Sequence, residues 1–152
     1  AGADGGVLHL GRVDDAELHA LYTGAAAFCF PALAEGFGRP PLEAMACGTP
    51  ALVADYGPAR EVLGRGARIL PLEADDWVSA LVELMHEGPA REALVERGRA
   101  WARRYRWDTA AQQVRAACET VAVQAAAARR ARSARAPGRP GAVLARRSGS
   151  GG

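Results

Sequence analysis

Short apolar runs alternate with helical patterns along residues 7 to 128, and that alternation predicts an α/β fold with a doubly wound parallel sheet. Two further observations support it. The run Ala26-Ala27-Phe28-Cys29-Phe30 is almost wholly apolar and stops at Pro31, as in a strand covered on both faces. A Gly- and Pro-containing loop then leads from that strand into a helix, the usual strand-to-helix turn of a crossover unit.

The elements follow in order. Val7-Leu8-His9-Leu10 reads as a first strand ended by Gly11. Asp14 or Asp15 can cap a helix running to about Thr23, with Leu18, Leu21 and Tyr22 on one face. Residues 26–30 form the second strand. A helix is expected from about Pro40 to Ala46, with Gly48 just past its end. Ala51–Ala54 is a third strand, Ala59–Leu63 a short helix, and Ala67–Leu70 a fourth strand closed by Pro71. Trp77–Glu87 is amphipathic through Trp77, Ala80, Leu81, Leu84 and Met85. Gly88-Pro89 separates it from a helix over Ala90–Tyr105, and a last helix begins at Asp108 as N-cap. Trp101, Tyr105 and Trp107 are expected to pack into the core.

Composition limits the classes of function. The chain has 152 residues, 49% hydrophobic and 24% charged, which suits one folded domain and excludes wholesale disorder. No apolar run approaches the roughly 18 residues that a membrane-spanning helix needs. All 19 basic residues are Arg, and seven of them lie from Arg129 onward, where no acid occurs. The first 128 residues therefore carry 12 Arg against 17 acids, a net charge of −5. The basic balance belongs to the tail and is poor evidence for nucleic-acid binding. Residues 1–128 are expected to fold, and 129–152, rich in Arg, Ala, Gly and Pro, to be disordered. Cys29, Cys47 and Cys118, odd in number and far apart, fit reduced thiols of a cytoplasmic protein. The chain opens on Ala1 without a signal pattern, so further sequence upstream is expected.

The chemistry concentrates in residues 31–50. This stretch leaves the carboxyl end of a strand, the rim where open parallel sheets bind ligands. Gly36 and Gly38 let backbone N–H groups come close to a ligand, having no Cβ in the way. Pro40 and Pro41 preset the first helical turn, and the helix start is a ready anion site. Glu35 precedes the glycines and Glu43 lies eight residues later. Two carboxylates flanking such a crevice suit a ligand with phosphate at its middle and hydroxyl-rich sugars at both ends, because a carboxylate accepts both hydrogen bonds of a vicinal diol. Taken singly, Glu43 is an ordinary first-turn acid, Glu35 a loop carboxylate and Arg39 a solvated loop cation. Asp55 and Tyr56, after the third strand, read as loop punctuation, with lining of the crevice edge as the alternative; Cys47 reads as helix-end packing, His9 as a core or edge histidine, and His19 and His86 as surface residues.

In register, EGFGRPPLEAMACGTPALVAD resembles the donor-binding motif of retaining nucleotide-sugar glycosyltransferases, the GT-B architecture and its glycosyltransferase family 4 type. The upstream LGRVDDAELHALYTGAAAFCFPALAE fits, as do PAREVLG and RYRWDTAAQQV. The resemblance implies a Rossmann-like donor half of that architecture and hexose transfer from a nucleoside-diphosphate sugar, such as a mannose or glucose donor. It makes Glu35 the catalytic residue that stabilises the developing oxocarbenium charge. Backbone of Gly36, Phe37 and Gly38 would meet sugar hydroxyls and phosphate, amides at about Leu42 the diphosphate, and Glu43 the ribose hydroxyls. No metal or other cofactor is implied, in keeping with the lack of an Asp-x-Asp motif. The family's earlier Gly-rich turn, its diphosphate-neutralising Arg and Lys, and its amino-terminal acceptor domain have no counterpart here. The chain is therefore expected to be a carboxy-terminal piece, inactive alone, whose acceptor is unspecified.

A paired-carboxylate glycoside hydrolase is the rival enzyme reading. The glycines and helix start favour a phosphate ligand over it. A non-catalytic half-domain, either gene remnant or interaction module, is the rival from another class. For the Arg-rich tail, weak contact with an anionic surface at the membrane stands beside an unstructured solubilising end.

Overall fold

A computed structural model describes residues 3–4 and 6–135. The chain divides into two compact units between Arg106 and Trp107.

In the first unit, β1 (Ala3–Asp4) and β2 (Val7–Leu8) form a two-stranded antiparallel sheet of their own. The expected strand over 7–10 is therefore shorter and is not part of the parallel sheet. Val7 and Leu8 stay exposed, so no buried face extends the strand. Asp14 then caps α1 (Asp15–Gly24). Its Oδ1 accepts from the Glu17 N–H at 2.8 Å, and the Glu17 carboxylate accepts from the Asp14 N–H at 2.9 Å. This reciprocal capping box satisfies two amides that a helix start would leave unpaired.

The parallel sheet has the order β3-β4-β5, from β3 (Phe28–Phe30), β4 (Ala51–Ala54) and β5 (Arg68–Leu70). Phe28 pairs with Ala51, and Leu52 with Arg68. All four residues of the central strand are buried, and their alternation divides the core. Ala51 and Val53 join Leu42 and Met45 of α2 (Arg39–Cys47), Val62 and Leu63 of α3 (Ala59–Leu63), and Ala102 of α5 (Pro89–Ala102). On the other face Leu52 and Leu70 pack with Ala80 and Leu84 of α4 (Ala74–Met85) and with Leu94 of α5. Helices on both faces of a parallel sheet are the doubly wound arrangement the alternation predicts. Each buried Leu or Val contributes about 1.5–3 kcal/mol relative to exposure.

β3 departs from expectation. It is an edge strand, with Phe28 and Phe30 half-buried and Cys29 exposed, so it is covered on one face only. Helix α4 begins three residues before Trp77, and Tyr105, at 42% exposure, lies largely outside the core.

The described residues of the second unit form α6 (Trp107–Arg135), a helix of 29 residues. It starts one residue before Asp108, which is therefore a first-turn acid rather than the N-cap. Trp107 is 80% exposed and packs no core. The helix also runs into the segment expected to be disordered. Ala and Arg are strong helix formers, and neither Pro nor Gly interrupts them before Pro137. The rest of that expectation, residues 136–152, lies outside the described residues.

Candidate functional site

Residues 31–38 leave the carboxyl end of β3 and enter α2, so the loop lies at the predicted rim of the sheet. Its turn is built by glycine. Gly38, the N-cap of α2, has φ +87°, a left-handed conformation that side chains with Cβ adopt at a cost. A Cβ there would also collide with the hydroxyl of Tyr56. Tyr56 is buried behind the loop, and its hydroxyl donates to the Phe37 carbonyl at 3.5 Å. Phe37 meets Tyr105 edge-on with centroids 5.8 Å apart. Two tyrosines thus hold the loop in place.

Glu35 is exposed and folds back onto its own turn. Its Oε1 accepts from the Gly36 N–H at 2.9 Å and from the Phe37 N–H at 3.3 Å. Two of the three backbone groups expected to meet a ligand therefore point at an anionic oxygen already. Both N–H groups thus converge on one carboxylate oxygen of their own turn. The Glu35 charge also reaches Tyr56, whose phenol is raised above its ordinary range by burial first and by Glu35 second.

Glu43 sits on α2 with its side chain 39% exposed. Arg39, one turn earlier, donates from Nη2 to Glu43 Oε1 at 3.0 Å, so Arg39 is an ion-pair partner rather than a merely solvated cation. From α1, Tyr22 lies near enough for its phenol to feel the Glu43 charge. Tyr22 is 7% exposed, and its phenol is pushed up to about 12 by burial first, then by the Glu43 charge and nearby Cys47.

Leu42 is at the fourth helical position, and its side chain is buried in the core. An amide there is the first to join the helix's own hydrogen-bond ladder. Because Pro40 and Pro41 have no N–H, the backbone donors at the mouth of α2 belong to Gly38 and Arg39. At its other end α2 stops at Gly48, φ +89°, whose N–H reaches the Ala44 and Met45 carbonyls.

This strand, glycine turn and helix with an acid at either end lie inside a longer match. The family model described as glycosyl transferases group 1 matches residues 1–101. The chain belongs to that family. Within the glycosyl transferases group 1 family it is 33% identical over 111 residues to O-antigen chain mannosyltransferase B of Escherichia coli, covering 72% of this chain and 29% of the relative. It is 38% identical over 117 residues to a phosphatidyl-myo-inositol mannosyltransferase of Mycobacterium leprae, covering 74% and 31%. With the O-antigen chain mannosyltransferase RfbU of Salmonella typhimurium it shares 43% over 76 residues, covering 49% and 22%. The chain spans less than a third of the length of these relatives.

Sequence reasoning saw Tyr22 only as one of three positions on one face of α1, and read Tyr56 as loop punctuation by default with the crevice edge as alternative. The available signal was that a buried tyrosine hydroxyl needs a polar partner. Asp55, its neighbour, makes an exposed ion pair with Arg60 at 2.5 Å and stands apart from the two acids' contacts. Cys47 lies 3.4 Å from His19 Nδ1 across α1 and α2. Among the described residues no cluster of three or more His, Cys, Asp or Glu could hold a metal ion, and no helix is long and apolar enough to cross a membrane. An open concavity of about 660 Å³ lies elsewhere, lined by residues of α1 and the segment before it, including Leu10, Arg12, Val13 and Leu21. None of the predicted site residues lines it, and its surface is mainly apolar.

Proposed function

We propose that this chain is the carboxy-terminal, donor-binding part of a retaining glycosyltransferase of GT-B architecture, which transfers a hexose from a nucleoside-diphosphate sugar. The observation that carries the reading is the Glu35-to-Glu43 element itself. One acid rests on the converging amides of a glycine turn, and the other is ion-paired with Arg39 one helical turn before it. The mannosyltransferase names of the relatives favour mannose as the hexose.

Each group has a task in that reading. Glu35 lies beside the transferred sugar, where its charge stabilises positive charge developing at the anomeric carbon. The N–H groups of Gly36 and Phe37 exchange the Glu35 oxygen for oxygens of the donor, and Gly38 permits the close approach. The start of α2, up to Leu42, presents its positive end to the diphosphate as it leaves. Glu43 accepts from the ribose diol.

Because the chain spans less than a third of its relatives, transfer is proposed to require an amino-terminal acceptor-binding domain outside these 152 residues. A cytoplasmic, peripherally membrane-associated protein is the setting proposed, with weak contact between an anionic surface and the Arg-rich segment from Arg129.

The test is equilibrium binding of GDP, UDP and ADP to the full gene product carrying this chain, with Glu43→Ala as comparison. One of the three is expected to bind, and Glu43→Ala to weaken it at least about tenfold, the order of one charge-assisted hydrogen bond. Unchanged affinity in Glu43→Ala removes the reading.

A further inference from the structure

Two aromatic rings stand beside Glu35 without joining the core. Phe37 is 43% exposed, and Tyr105, which follows α5, is 42% exposed. Their rings meet at 85° with centroids 5.8 Å apart, so they form the two walls of a corner. Exposed aromatic side chains are ordinarily free to turn, but these are fixed. The Tyr105 hydroxyl donates to the Val62 carbonyl at 2.6 Å, and its N–H to the Ala102 carbonyl at 3.0 Å. The same Val62 carbonyl accepts from Trp101 Nε1 at 2.8 Å, which ties Tyr105 to a second ring. Phe37 is held by Tyr105 on one side and, through its carbonyl, by the Tyr56 hydroxyl. Ordering two large side chains while much of each stays in water costs entropy for little burial. A ligand that covers them recovers that cost.

We propose that Phe37 and Tyr105 form a subsite for the apolar face of a pyranose ring. The subsite rests on the reading of Glu35 as the acid beside the transferred sugar. A pyranose carries hydroxyls around its rim and C–H groups across its faces. Those hydrogens are weakly positive and the face of an aromatic ring is negative, so stacking suits both. The chain supplies the complement within three consecutive residues. The Phe37 N–H, which Glu35 engages at 3.3 Å, belongs to the residue whose ring forms one wall. Carboxylate and amides serve the hydroxyl rim, and the corner serves the face. This combination of a few polar groups with an aromatic wall is what orients a small ligand. A diphosphate has no apolar face to cover, so the corner adds nothing to its binding. Two sources present the pyranose chemistry, the hexose of the donor and a sugar acceptor. Rings that only brace the loop would influence stability and leave sugar affinity untouched.

The experiment uses the full gene product and has two arms. The first measures, within each protein, the affinity for GDP-mannose relative to GDP, UDP-glucose relative to UDP and ADP-glucose relative to ADP. The second measures binding of methyl α-mannopyranoside and methyl α-glucopyranoside to protein saturated with its nucleotide. Phe37→Leu and Tyr105→Leu each remove one ring and keep apolar bulk, whereas Tyr105→Phe removes the hydroxyl and keeps the ring. Both leucine variants are expected to lower one of the two quantities about fivefold, the order of one aromatic contact, and Tyr105→Phe to hold it within about twofold. A fall in the first arm assigns the corner to the donor's hexose, and a fall in the second assigns it to a sugar acceptor. Wild-type values in both arms for either leucine variant overturn the subsite, as does a wild type that gains affinity from neither sugar. An equal loss in Tyr105→Phe overturns it too, since the hydroxyl anchor and not the ring face would then be responsible. So does a loss of affinity for the nucleotide alone that matches the loss for its hexose conjugate. No binding of GDP, UDP or ADP to wild type removes the parent reading and the subsite with it.

Discussion

At the scale of single residues, the charges of the two acids act on the buried phenols near them. Tyr22 shows this through its ionisation. Its phenol rises from 10.0 to about 12 in the folded chain, through burial first and then the Glu43 charge. Between those values the unfolded chain has lost a proton that the folded chain retains. Stability from this source is therefore complete below pH 10 and declines as pH climbs toward 12. Tyr22→Phe abolishes the ionisation and should flatten that part of the profile, as read by urea denaturation across the same window. Gly38 is the backbone counterpart. Gly38→Ala forces a Cβ into a left-handed conformation and against the Tyr56 hydroxyl, so a loss of at least about 1–2 kcal/mol is expected in denaturant titration. The acids and glycines were readable in the sequence because spacing and residue type carry them. The tyrosines behind them were not, since Tyr22 is 21 residues from Glu43 in the chain and only packing of α1 on α2 unites them.

At the scale of elements, sequence pattern located nearly every helix and strand of the first unit, and errors cluster where burial departs from pattern. The run 26–30 is apolar enough for a central strand, yet it forms an edge with Cys29 exposed. Apolar composition states that a strand could be buried on both faces; the number of helices laid over it decides whether it is. β4 is the element with both faces covered, and Leu52 faces α4 and α5 from it. Leu52→Ala should cost about 2–5 kcal/mol through lost transfer energy and an unfilled cavity. Val78→Ala, on the 59% exposed side of α4, should change stability by under about 0.5 kcal/mol. Thermal unfolding followed by circular dichroism separates the two. Helix α6 makes the opposite error visible: Ala and Arg read as low complexity, yet the same residues propagate a helix to Arg135.

At the scale of the whole molecule, the parallel sheet has three strands, and the outer edge of β3 pairs with no described strand. Open strand edges recruit other chains. The 152-residue chain by itself is accordingly expected to self-associate as concentration rises in sedimentation velocity, and to show no sugar transfer; a monomer across that range, or turnover, would contradict it. The amino-acid order alone determined the α/β alternation, the glycine turn, the positions of Glu35 and Glu43 and the family they resemble. Each of these is local, fixed by residue type and by spacing within some twenty positions. Tertiary structure decided the rest: which strand is central, which way Glu35 turns, and which distant tyrosine backs the Phe37 carbonyl. Those outcomes depend on contacts between segments remote in sequence, where packing and desolvation select one arrangement among many that the local pattern permits.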